Sequence, residues 1–250
     1  MVSRKGLEQF LHDYLNVDQF KDYCPNGLQV EGSENIQTLV TGVTASQALI
    51  DKAVALNADA ILVHHGYFWK GEFEPIVGVK KRRIGSLIAN DINLFAFHLP
   101  LDMHPVSGNN VQLANELSLT VLDGVEPILG FPGIICDFDE YKSAFDVREL
   151  LSKNLEFDVL HVGEGGAVKR VAICTGAAQG YIDLLIDKGI DAYISGEISE
   201  RTVHSAVEAG IHYFAAGHHA TEKGGVQALG ELLKTEFNLN VYFIDLPVPV

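Results

Sequence analysis

The chain is poor in cysteine. Its 250 residues hold three, Cys24, Cys136 and Cys174, widely spaced and odd in number. That count leaves out a disulfide scaffold and a cysteine-type zinc site, and it fits a reducing, cytoplasmic setting. Long apolar runs are also missing, although 47% of the residues are hydrophobic, so the apolar material suits a packed core and not a membrane span. Positive charge is scarce: 18 Lys and Arg face 33 Asp and Glu, a formal net charge of −15. Such a surface repels a phosphate backbone, so nucleic acid is not an expected partner. A basic start, Met1 to Gly6, is followed by Leu7, Phe10, Leu11, Tyr14 and Leu15. That is amphipathic helix spacing, not the continuous apolar core of an export signal. The Gly-x-x-x-x-Gly-Lys-Ser/Thr loop that cradles nucleotide phosphates is absent, as are low-complexity tracts.

The positive charge that exists concentrates in Lys80-Lys81-Arg82-Arg83. Its first reading is a solvated helix start; its second is an anchor for an anionic group of a substrate. Elsewhere the chain repeats itself. Val40-Thr41-Gly42 leads through a helical spacing (Leu49, Ala53, Val54, Leu56) to Asp59-Ala60-Ile61-Leu62-Val63-His64-His65-Gly66. Cys174-Thr175-Gly176 leads through Ile182, Leu185 and Ile186 to Asp191-Ala192-Tyr193-Ile194-Ser195-Gly196-Glu197. Each stretch reads as strand, Thr-Gly turn, helix, Asp-Ala, strand, which is a βαβ unit with a parallel strand pair. The expected fold class is therefore α/β, with two related lobes. The Glu126–Pro132 stretch breaks regular structure and suggests a boundary, Phe145 to Leu155 a helix, and Gly210 to Gly217 another short strand. A helix from about Ala220 to Phe237 and a strand over Val241 to Asp245 close the chain. Residues 1–126 plus 217–250 are expected to form the metal-binding lobe, and 127–216 the second.

Five of the ten histidines fall in three segments: Val63-His64-His65-Gly66, His98-Leu99-Pro100-Leu101-Asp102, and Gly217-His218-His219-Ala220-Thr221-Glu222. Imidazole and carboxylate are the ligands that hold zinc and transition metals in hydrolytic sites. Each segment ends an apolar run, where strands deliver residues into a cleft. Adjacent histidines on a strand point to opposite faces, so His64 and His65 suit a pair of metals better than a single one. Asp102 lies on the loop after His98, and His218 and Glu222 lie one helical turn apart. His64, His65, Asp102, His218 and Glu222 are the candidate ligands, with Glu222 the candidate bridge. His98 is read as a proton shuttle or a partner of the ligands. His104 and His219 are placed outside the ligand set, and His12, His161 and His212 are read as ordinary histidines. Glu200 and His204, spaced by four, read as a surface pair.

These segments, together with Asn26-Gly27-Leu28-Gln29-Val30-Glu31-Gly32, resemble the Nif-three-like dinuclear metal-centre proteins, often called GTP cyclohydrolase I type 2 homologues. The resemblance spans essentially the whole chain. It implies that His64, His218 and Glu222 hold one metal and that His65, Asp102 and Glu222 hold the other. It also implies a toroidal homohexamer in the compact form without an inserted domain. Two divalent ions per chain are thus expected, from among zinc, iron, manganese, cobalt and nickel. The activity this suggests is metal-dependent hydrolysis of a nucleotide or related heterocycle. The alternative is a non-enzymatic metal-handling or scaffold protein.

Overall fold

A computed structural model describes residues 1–122 and 128–250. The sequence-predicted boundary at 126/127 lies outside them. Along the chain come β1 (Val2–Ser3), α1 (Arg4–Tyr14), β2 (Gly27–Val30), β3 (Asn35–Ile36), β4 (Thr38–Thr44), α2 (Gln47–Ala55), β5 (Ala60–His65), α3 (Gly78–Ala89), β6 (Asn93–Ala96) and α4 (Leu99–Asp102). Then follow α5 (Asn109–Glu116), β7 (Thr120–Val121), β8 (Ile134–Lys142), α6 (Ala144–Leu155), β9 (Leu160–Val162), β10 (Val168–Cys174), β11 (Ala192–Ser195), α7 (Glu200–Ala209), β12 (His212–Ala215) and α8 (His218–Thr221). The chain ends with α9 (Lys223–Phe237) and β13 (Asn240–Phe243). No helix among the described residues is long and apolar enough to cross a membrane.

Two compact units result: Met1–Gly108 with Gly225–Leu246, and Asn109–Gly224 with Pro247–Val250. The first contains a five-stranded sheet in the order β13-β4-β5-β6-β2, parallel except for β2. β5 shows why these residues make a doubly covered strand. Ala60 and Leu62 enter one apolar cluster, with Leu7, Leu11, Leu229 and Leu233. Ile61 and Val63 enter another, with Leu49, Ile50 and Leu87. The period of two thus sends alternate residues to helices on opposite faces. Helix entry is set locally: Ser3 Oγ accepts from Gly6 N and Ser46 Oγ from Leu49 N.

The second unit contains a six-stranded sheet in the order β7-β8-β10-β11-β12-β9, with β10, β11 and β12 parallel. Here too the sheet is covered on both faces, with Ile194 and Phe214 in one cluster and Tyr193 and Tyr213 in the other. Ser143 caps α6, whose Val147, Leu151 and Leu155 form the buried stripe.

The Asp-Ala repeat has a shared physical role. Asp59 Oδ2 accepts from Gln37 N and Thr38 N, both at 2.8 Å, and so caps the start of β4. Asp191 Oδ2 accepts from Lys169 N and Arg170 N at 3.0 and 2.8 Å and does the same near the start of β10. The Thr-Gly matches, by contrast, do not occupy equivalent places. Leu39 pairs with Ala60 and Val171 with Ala192, which puts Gly176 level with Thr44 and not with Gly42. Gly42 lies inside β4, where a Cβ would meet Leu49 at 2.8 Å, so it admits α2 close to the sheet. The expected second-copy helix is a 3₁₀ segment, Gln179–Leu184. His218 and Glu222 sit on and just after the short α8, ahead of α9 and within the second unit, whereas the sequence reading put them with the first lobe. The reason is local: Ala216 and Ala220 pack into the second unit's core, and Thr221 Oγ1 accepts from Gly176 N at 3.1 Å.

Candidate metal centre

In both units the candidate donors lie at the carboxyl ends of parallel strands, the edge where open α/β sheets place their sites. In the first unit β5 ends in His64 and His65, and His98 follows β6 by two residues. His64 is fully buried, His98 is buried, and His65 is partly exposed. Although β5 stays extended through both histidines, the rings of His64 and His65 lie only 4.6 Å apart by centroid, and His64 and His98 5.0 Å. One ring nitrogen from each of His64, His65 and His98 falls within 4.8 Å of the others. Asp102, on α4, brings Oδ1 to 3.3 Å from His64 Nε2. In the second unit His218 Nε2 is 3.3 Å from Glu222 Oε2, and the Glu222 side chain is 3% exposed.

Each of these imidazoles is held by its Nδ1. His64 Nδ1 is 2.9 Å from the Phe97 carbonyl oxygen, and His65 Nδ1 is 3.2 Å from Thr44 Oγ1. His98 Nδ1 is 3.0 Å from Asp22 Oδ1, and His218 Nδ1 is 2.7 Å from Glu197 Oε1. A carbonyl or carboxylate accepts only, so Nδ1 of His64, His98 and His218 carries a proton. Metal-ligating histidines are oriented in this way.

Asp22 and Glu197 were not among the sequence-predicted residues. Asp22 is almost wholly buried, and its carboxylate also accepts from Leu99 N, Asn26 Nδ2 and Tyr23 N. Burial opposes its ionisation, but the hydrogen bonds from His98, Asn26 and Leu99 outweigh that and hold the carboxyl far below the usual carboxylate range. Burial would lower the His218 pKa, yet Glu222 and Glu197 outweigh it and push the imidazole up to about 9. Cys24, near Asp22 and His98, is a neutral thiol: burial first, then the Asp22 charge, push it up to about 12.

Two glycines make room. Gly176 (φ +68°) faces Glu222 so closely that a Cβ would collide with the carboxylate, and a Cβ on Gly66 would collide with Gln29. The remaining histidines have other work. His104 stacks on Tyr14 at 4.3 Å, and its Nδ1 accepts from Ser107 N. His161 and His212 face each other on β9 and β12 with Nε2 to Nδ1 at 3.0 Å. Glu200 and His204 are both exposed on α7.

The family model for Duf34/NIF3 (NGG1p interacting factor 3) matches residues 2–248. A Yersinia pestis protein named GTP cyclohydrolase 1 type 2 homolog is 51% identical over 245 residues, covering 97% of this chain and 98% of its own length. A Pseudomonas aeruginosa protein of the same name is 52% identical over 239 residues, covering 94% of each. Among solved structures, protein ybgI, described as of unknown function, superposes with a TM-score of 0.95 at 49% identity over 100% of both chains. TTHA1606 from Thermus thermophilus superposes at 0.88, with 32% identity and the same coverage. A full-length family match and relatives sharing half of its residues carry one conclusion: the chain belongs to the DUF34/NIF3 family.

Proposed function

We propose that the chain is a dinuclear metal-dependent hydrolase acting on a nucleotide or related heterocycle. His64 and His218 serve one divalent ion, His65 and Asp102 serve the other, and Glu222 is shared. The observation that supports this most is the set of Nδ1-anchored imidazoles, two of which have Nε2 at 3.3 Å from a carboxylate oxygen. Mixed imidazole and carboxylate donors suit zinc, iron, manganese, cobalt or nickel. Such ions, when bound, lower the pKa of coordinated water and polarise the bond to be cleaved. The chain's own residues do the rest. Asp22 fixes the His98 ring with Nε2 unprotonated, ready to take a proton from an attacking water and return it to a leaving group. Glu197 likewise orients the His218 ring through Nδ1. The relatives' name suggests the substrate class, and the family resemblance suggests a homohexamer; both belong to this proposal.

The test is elemental analysis of protein purified without a metal-leaching tag, combined with turnover on a panel of nucleotides and phosphoesters. We expect two ions per chain, a lower count in Glu222→Ala, and activity lost in His65→Ala and Asp102→Ala with assembly intact. Failure to take up any ion under saturating supply would sink the metal centre. Metal-loaded protein that turns over nothing, with Glu222→Ala merely lowering Tm, would favour the non-enzymatic metal-handling or scaffold reading.

A further inference from the structure

The basic cluster on α3 is not used by the donor sets, and one of its members is held in an unusual state. A cavity of ≈ 260 Å³ is lined by Tyr67, Glu72, Phe73, Lys80 and Arg83 with three apolar neighbours. Arg83 is partly buried, and its Nε is fully buried with no hydrogen-bond partner among the described residues. No carboxylate among them lies within ion-pair distance of its guanidinium. Glu72, the acid in the wall, is already engaged: Oε2 accepts from Phe68 N and Trp69 N at 3.0 and 3.2 Å and lies 3.4 Å from Lys80 Nζ. Lys80 in turn is fixed, with 12% of its side chain exposed and Nζ 5.1 Å from the centre of the Phe68 ring. The cavity therefore holds two cations against one acid, whose Oε2 already serves Lys80 and two backbone N–H groups.

A buried guanidinium N–H without an acceptor costs about 1–3 kcal/mol, so a chain that keeps one gains something by it. Guanidinium presents a planar fork of donors that matches carboxylate and phosphate. The lining also includes the apolar Phe73, Val77 and Val79. Tyr67, in the lining too, follows His65 by two residues and is pinned by its hydroxyl to the Ala45 carbonyl at 2.6 Å.

We propose that this cavity is an oxyanion-binding site in which Arg83 and Lys80 hold a phosphate or carboxylate group of a small molecule. The inference does not depend on a bound metal. The remaining two members of the cluster, Lys81 and Arg82, are exposed and belong to the solvated face.

The experiment uses the full chain stripped of metal with a chelator and then dialysed, so that no anion registers through a bound ion. Thermal unfolding is followed against inorganic phosphate and, separately, acetate, at fixed ionic strength with chloride. We expect one or both anions to raise Tm in the unmodified chain, and the arm that does so identifies the group. Arg83→Met should weaken the apparent affinity about tenfold or more, Lys80→Met should weaken it in the same direction, and Arg82→Met should leave it unchanged. In anion-free buffer Arg83→Met should be at least as stable as the unmodified chain, because it removes an unpaired buried N–H. The proposal is overturned if neither anion shifts Tm, if the shift survives Arg83→Met, or if Arg83→Met is destabilised without anion, which would make Arg83 a structural residue.

Discussion

Replacing Asp22 with Asn keeps the shape of the side chain and changes only what it can accept. In the native chain Oδ1 faces His98 Nδ1 at 3.0 Å and Tyr23 N at 2.7 Å. Oδ2 faces Leu99 N and Asn26 Nδ2, both at 3.0 Å. All four partners are donors. An asparagine must turn its own NH2 toward one pair, and either choice sets a donor against a backbone N–H, Leu99 or Tyr23. Losing charge-assisted bonds and opposing one buried N–H together cost about 2–4 kcal/mol. In a chain of this size that lowers Tm by about 5–15 °C. Because the folded carboxyl is held far below its ordinary value, its stabilisation is complete above pH ~4 and is lost only as pH falls through the lowered folded value. The gap between native chain and Asp22→Asn should therefore be constant from about pH 5 to 8 and narrow only in strong acid. A second measurement separates this from a general packing defect. With ¹⁵N-histidine labelling, and the His98 signals assigned through His98→Gln, the native ring should show Nδ1 protonated, and Asp22→Asn should shift it toward the other tautomer. Equal melting of the two proteins with an unchanged His98 tautomer would refute the reasoning.

Gly176→Ala and Gly189→Ala both force alanine into a left-handed backbone, φ +68° and +70°, at a cost of about 1 kcal/mol each. Only the first also drives a methyl into Glu222, so only Gly176→Ala should lose metal affinity, by about ten- to a hundredfold; equal affinity in the two by titration calorimetry would exclude this role for Gly176. The His161 pKa is lowered, by burial first and then by the charges of His212 and Arg148. The unfolded chain then takes up a proton near pH 6.5 that the folded chain resists, so stability is present above that pH and falls as pH drops below it. His161→Phe should flatten the urea midpoint between pH 7.5 and 5.5, and an unaltered slope would count against the pairing.

The α/β class was legible because fully buried strands such as Ala60–Val63 and Ala192–Ile194 are apolar on both faces and bounded by turn residues. His64, His65, His98, Asp102, His218 and Glu222 could be nominated as candidate donors because imidazole and carboxylate residues follow the ends of apolar strands. Asp22 and Glu197 were not. Asp22 lies in an irregular segment and reaches a histidine 76 positions away, a contact no periodicity encodes. Glu197 carried a faint signal, since Ser195-Gly196-Glu197 stands where the other copy has Val63-His64-His65. Its service to His218 needs β11 and β12 to be neighbours, which is a property of the sheet.

Strand register explains why two similar frames present unlike chemistry. In each unit an aspartate caps the start of one parallel strand, β4 or β10, and the carboxyl ends of the strands that follow it carry imidazole donors. Thr44 and Gly176 occupy the same level in that frame. In the first unit the position keeps a hydroxyl, which touches His65 Nδ1 and leaves Nε2 outward. In the second it is reduced to hydrogen, and the space a side chain would fill is taken by the Glu222 carboxylate. A threonine there would exclude Glu222, and a glycine at Thr44 would free the His65 ring to turn. The single difference at this level thus lets the first unit hold an imidazole in place and the second hold a carboxylate, the two ligand types that mixed-donor sites use.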